Sequence, residues 1–151
     1  MRGQRVPASR PQRAWKHSGP HDFWSWDFVA MKAIRFTDCT TIPTTDHPKP
    51  ERLERGNPMR TTWNHYSDST EHLHAGAWAS EVGAWQIAYP ANLGEFFHVI
   101  EGEIALTDSD GVRTTYRPGD ACVIPPGFEG LFEVVKPAKK HYVVWETPQH
   151  P

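Results

Sequence analysis

The sequence predicts an all-β fold: a single-domain sandwich or small barrel preceded by an irregular N-terminal extension. Three observations carry that expectation. Short strand-like runs follow one another from residue 60 to residue 146, Gly- and Pro-rich punctuation separates them, and no run has the period of a long amphipathic helix. At 151 residues the length fits one domain with a real core, so no second folding unit is expected.

The first thirty residues differ from the rest. "MRGQRVPASRPQRAWKHSGP" is basic and contains proline without hydrophobic periodicity, and is read as a disordered or spurious extension. Its Arg-rich, acid-poor character also suits a transit-type segment. Trp24, Trp26 and Phe28 in "HDFWSWDF" share one side of an extended chain and are candidates to dock on the body. The domain proper is expected over 31–148, opening on the strand-like "MKAIRF". From 37 to 60 four prolines and few apolar residues suggest a surface arm with a turn of helix at "PERLERG".

The strand signals then run "RTTWNHY", "HLHAGAWA", "AWQIAYP", "EFFHVIE", "EIALTD", "VRTTYR", "ACVIP", "LFEVV" and "HYVVWE". Side chains alternate across a strand, so one anchor fixes each strand's parity. In "AWQIAYP", Trp85, Ile87 and Tyr89 form the bulkier apolar set and are assigned to the interior. In "EFFHVIE", Glu95, Phe97 and Val99 face inward, and Phe96, His98 and Ile100 face outward. Both faces of that strand are largely apolar, which predicts cover by another layer or by a partner subunit, and hence a homodimer.

Charge and cysteine content narrow the function classes. Of sixteen basic residues, five lie before the first acid, Asp22; the other eleven stand against eighteen acidic residues, a formal charge of −7. That sign argues against a nucleic-acid-binding body or attraction to anionic membranes. Cys39 and Cys122 are too few for a disulfide scaffold or a cysteine-based zinc site. No apolar stretch reaches the length of a signal h-region or membrane span, so a cytoplasmic protein is expected.

"EFFHVIEG" followed by "GDACVIPPGF", joined by the hairpin at "LTDSDGVRTTY", resembles the two motifs of the cupin superfamily. The pattern is most similar to the ureidoglycine aminohydrolase-like and ethanolamine-utilisation-type cupins, over residues 51–146. The resemblance implies an antiparallel jelly-roll β-barrel, and it implies a divalent metal held by one glutamate and three histidines. The glutamate falls on Glu95, but the histidine positions fall near Tyr89, Ala91 and Gly130. A lone carboxylate does not satisfy a transition metal that prefers imidazole, so no cofactor is expected. The alternative is a relocated divalent-metal site of His72, His74 and Glu95, because His72 and His74 share a strand face. A bulge at Gly76 would flip that parity, and a strand start outside the barrel would also break the site, so surface histidines near a turn are the preferred reading.

Glu95 is therefore the candidate catalytic residue or ligand anchor, and the bland alternative is a structural carboxylate bonded to a nearby donor. Tyr89 is its nearest plausible donor. With no cation expected beside it, Glu95→Gln should leave stability without ligand nearly unchanged or slightly raised, because it removes an unpaired buried charge. Trp78, Trp85, Tyr89, Glu95, Phe97 and Phe128 form the expected ligand-binding set, Phe128 covering the barrel mouth from a rigid Pro125–Gly127 turn. Lys139 and Lys140 are expected in solvent, the alternative being that one of them pairs with an anionic ligand, and Cys122 is expected as a buried small side chain. The function expected is binding of a small polar metabolite, of amine, ureido or carboxylate type, in an aromatic-lined pocket, where the Glu95 carboxylate favours an amine-bearing or hydrogen-bond-donating ligand. One alternative is a metal-dependent aminohydrolase-like enzyme using the relocated site; another is an accessory protein with a filled barrel. No complete catalytic set stands at the expected positions, which leaves enzyme activity open.

Overall fold

Two long antiparallel strands organise the molecule. The computed structural model describes residues 31–149. In chain order the strands are β1 (Thr44–Asp46), β2 (Leu53–Arg55), β3 (Arg60–Ser67), β4 (Leu73–Ser80), β5 (Gly83–Ala88), β6 (Leu93–Asp108), β7 (Arg113–Tyr116), β8 (Ala121–Ile124) and β9 (Glu129–Glu146). β6 and β9 pair from Leu93↔Glu146 to Asp108↔Gly130. Their first crossing carries β4, β3 and β1 on the β9 side and β8 on the β6 side. Their second carries β5 and β2 on the β9 side and β7 on the β6 side. One nine-stranded sheet thus curls into two leaves that share β6 and β9.

The sequence signals "EFFHVIE" and "EIALTD" belong to one strand, and so do "LFEVV" and "HYVVWE". Gly102 and Pro137, which stand between these paired signals, face each other at the bend. Gly102 has φ +77°, and a Cβ there would lie 2.1 Å from the Pro137 carbonyl oxygen. The register shifts between Val99 and Ile104 turn both strands from one leaf into the other.

Parity on β5 and β6 follows the sequence reading. Trp85, Glu95, Phe97 and Val99 are buried, and with Ile104, Leu106, Cys122, Ile124, Phe132 and Val134 they fill the concave side. Two expectations change. "MKAIRF" forms no strand; it ends in a single 3-10 turn at Phe36–Asp38, and Phe36 covers the rings of His65 and His141 at 4.8 and 5.3 Å. The proline-rich arm contributes β1 and β2 to the outer edges, as well as a 3-10 turn at Pro50–Arg52. Three-residue strands carry no alternation to read. The expectations for residues 1–30, including Trp24, Trp26 and Phe28, lie outside the described residues.

The convex face of the first leaf carries a histidine row, with His98 opposite His141. Partial burial, then the charges of His98, Lys139 and His65, hold the His141 imidazole below its usual value of 6.5. The unfolded chain therefore takes up this proton first. The contribution is intact above the unfolded value and is lost as pH falls through the folded one. The unfolding midpoint should fall as pH drops below about 6.5, and His141→Asn should flatten that fall.

Candidate functional site

A cavity of about 450 Å³ opens on the concave side, within the range of about 300–1,000 Å³ usual for small-molecule sites. Alternation along the strands builds its wall, which draws on five of them. β3 supplies Arg60, Thr62 and Asn64, and β4 supplies His74 and Trp78. β5 directs Trp85 and Ile87 inward, with Tyr89 just beyond its end. β9 supplies Phe132, Lys140, Tyr142 and Val144, and β6 supplies Glu95. Gly76 matters here because a Cβ at that position would lie 3.0 Å from the Tyr142 hydroxyl and 1.9 Å from the Trp63 carbonyl oxygen. Its missing side chain lets the bulged β3 and Tyr142 close the wall.

A buried charge chain forms the polar end. The Lys140 Nζ donates to Glu95 Oε1 at 2.5 Å, and the Tyr89 hydroxyl donates to Glu95 Oε2 at 2.5 Å. The Lys140 and Glu95 side chains are only 5% and 7% exposed. Taking two ions out of water costs several kcal/mol each, and only close pairing with further hydrogen bonds offsets it. Three rings add to that compensation: the ammonium lies 4.7 Å from the Trp78 ring centroid, 4.5 Å from Phe97 and 5.1 Å from Phe132. Burial, followed by the Glu95 charge and its hydrogen bond, pushes the Tyr89 phenol far above its usual range. Burial and then Glu95 push Tyr142 up to about 12. Both phenols thus stay protonated near neutral pH; Tyr142 donates to Asn64 Oδ1 at 3.0 Å.

Lys140 corrects the sequence reading. Its parity with Ala138 and Tyr142 turns it inward, whereas Lys139 lies over the Trp63 ring at 5.4 Å. The same alternation rule would have found it, since "AKKHYVV" places Ala138, Lys140, Tyr142 and Val144 on one face. Arg60 was also missed. It holds Asp46 through Nε and Nη2, with its guanidinium carbon 5.3 Å from the Trp85 ring centroid.

Of the expected set, Trp78, Trp85, Tyr89 and Glu95 line the cavity. Phe97 and Phe128 do not. Phe97 is fully buried beneath Lys140 and packs edge-on against Tyr116. The Phe128 ring fills the space that Gly130 leaves, within 2.9 Å of where a Cβ would sit, while its carbonyl accepts the Tyr89 N–H. A side chain at 130 would also meet the Thr107 carbonyl oxygen at 2.2 Å, so this backbone has no room for a ligand side chain there.

The relocated metal site does not assemble. β4 keeps its alternation, because the irregularity lies in β3 between Asn64 and Tyr66. His74 accordingly faces the cavity, where its Nδ1 meets Ser67 Oγ at 2.8 Å. His72 precedes the strand, is 54% exposed and meets Glu146 at 3.5 Å. Among the described residues no group of three or more His, Cys, Asp or Glu is placed to hold a metal ion. Glu95, the one ligand position retained, already neutralises Lys140. The residues present do not fit the metal centre that the resemblance implied.

Cys122 is buried, and desolvation raises its thiol above the usual range. In the native protein a thiol reagent near pH 8 should label the half-exposed Cys39 well before Cys122, with both labelling in denaturant. Equal native rates would show that the leaf over Cys122 opens easily.

A family model described as EutQ-like cupin domain matches residues 68–142. Among solved structures, a DUF861-family protein of unknown function from Pseudomonas syringae pv. tomato is 24% identical, with TM-score 0.62. That match covers 70% of this chain and 45% of the Pseudomonas chain, so this chain spans less than half of that protein's length. The EutQ protein of Clostridium difficile is 19% identical, with TM-score 0.54, over 74% of this chain and all but 1% of its own (99%). Ectoine synthase from P. lautus is 12% identical, with TM-score 0.54, over 77% of this chain and 78% of its own. No curated protein matches the sequence. At these identities the solved structures speak to the fold.

Proposed function

The chain is a small cupin carrying a EutQ-like domain, and from that premise we propose that it binds a small polar metabolite, of amine, ureido or carboxylate type, in the cavity closed by the Lys140–Glu95–Tyr89 chain. One observation carries this reading: the space between Trp78, Trp85, Ile87 and Phe132 is open, with charged and hydroxyl groups at defined places on its wall. An accessory protein with a filled barrel would have packed its aromatics across that space. Trp85 instead stacks along the wall on Phe132 at 4.9 Å. Ligand binding here requires no metal, and no aminohydrolase step through one is proposed.

A thermal-shift screen of small amines, ureides and carboxylic acids tests the reading. At least one class should raise the unfolding midpoint in a saturable way, and Ile87→Trp, which fills the cavity, should abolish the shift. The same response in Ile87→Trp would put binding elsewhere; no response to any class would favour a structural role.

We also propose a two-fold dimer through the convex face of the first leaf. Phe96 is 40% and Val123 is 59% exposed; they are neighbours in register, with Val143 beside Phe96 on β9. Light scattering at micromolar concentration should give twice the chain mass, and Phe96→Glu should halve it. A monomer mass for the unaltered protein contradicts this.

A further inference from the structure

We infer that the cavity selects a small carboxylic acid with a planar or apolar body, its carboxylate seated on Lys140. This rests on the binding role proposed above and specifies the ligand. The cavity wall holds two basic side chains, Lys140 and Arg60, against one acid, Glu95, while Asp46 pairs with Arg60 from outside the wall. Glu95 is committed already, since each of its oxygens holds a donor at 2.5 Å. A ligand ammonium would have to displace Lys140 from Glu95 while facing both cations.

Lys140, in contrast, has donors to spare. Its ammonium carries three N–H groups. One goes to Glu95, and among the described residues the others face only the rings of Trp78, Phe97 and Phe132. Ring faces are weak substitutes for an oxygen. An incoming carboxylate oxygen completes the shell with a charge-assisted bond, roughly twice as strong as a neutral one.

The far wall has the same bias. Arg60 uses Nε and Nη2 on Asp46, which lies outside the cavity wall, while its Nη1 has no acceptor among the described residues. Between these cations run Trp78, Trp85, Ile87 and Phe132, a surface suited to a flat or hydrocarbon body rather than a sugar or polyol.

Isothermal titration with benzoate, benzamide and benzylamine tests this, because the three share a ring and differ in the group offered to Lys140. Benzoate should bind about tenfold or more tightly than benzylamine, with benzamide between them. In the double variant Glu95→Gln/Lys140→Met, which leaves neither charge unpaired, benzoate should fall to the level of benzamide. Arg60→Gln, at a more exposed pair, should weaken benzoate several-fold without touching that buried pair. Benzylamine binding as tightly as benzoate, or a benzoate preference that survives the double variant, overturns the acid assignment while leaving a binding cavity. If Ile87→Trp binds all three as the unaltered protein does, the cavity reading itself fails.

Discussion

Glu95→Gln should destabilise the protein by about 3–5 kcal/mol, the usual cost of removing one partner from a buried ion pair. On the sequence alone Glu95 had no cationic partner, and the same change promised almost no effect. The difference is Lys140: with Gln at 95, an ammonium that is only 5% exposed loses its counter-charge. Lys140→Met should cost about as much, since it leaves the carboxylate with Tyr89 alone. The double variant should recover most of the loss, because a methionine and an amide carry no buried charge. Urea unfolding of the three variants measures the coupling. Additive losses in the double variant would mean that the two residues act independently, and the charge chain would then not be what shapes the cavity floor.

Gly102→Ala should have a comparably large effect for a different reason. The residue holds φ +77°, and an added methyl would sit 2.1 Å from the Pro137 carbonyl oxygen and 2.7 Å from the Ala138 Cα. These are backbone atoms of the strand that carries Lys140, so relief moves β9 against β6. A loss of about 3 kcal/mol or more is expected. Gly111→Ala provides the control: φ is +80° there, but nothing lies within 4 Å of the added atom. It should cost about 1–2 kcal/mol, the left-handed backbone penalty alone. Equal losses at the two positions would show that the bend tolerates a side chain.

Much of the fold was legible because β-strand alternation is strict. Trp85 and Glu95 could be placed inside, and Phe96 outside, from one anchor per strand. The continuity of β6 and β9 was hidden because Gly102 and Pro137 look like terminators, yet they are two sides of one bend. Lys140 was hidden by a prior rather than by the pattern: lysines rarely lie fully buried, and only the carboxylate opposite makes this one tolerable. The exclusion of Phe97 and Phe128 depends on which buried ring sits behind another group, and strand parity carries no information about depth. For His72 and His74, the deciding fact is that β4 starts at Leu73, between them.

The most direct test of a cavity floored by Lys140, Glu95 and Tyr89 is the indole N–H spectrum of 15N-labelled protein titrated with benzoate. Trp78 and Trp85 line the cavity; Trp63 and Trp145 do not. The resonances of Trp78 and Trp85 should move together along one saturable curve while those of Trp63 and Trp145 stay in place. Stationary Trp78 and Trp85 signals, or a uniform drift of all four, would contradict it.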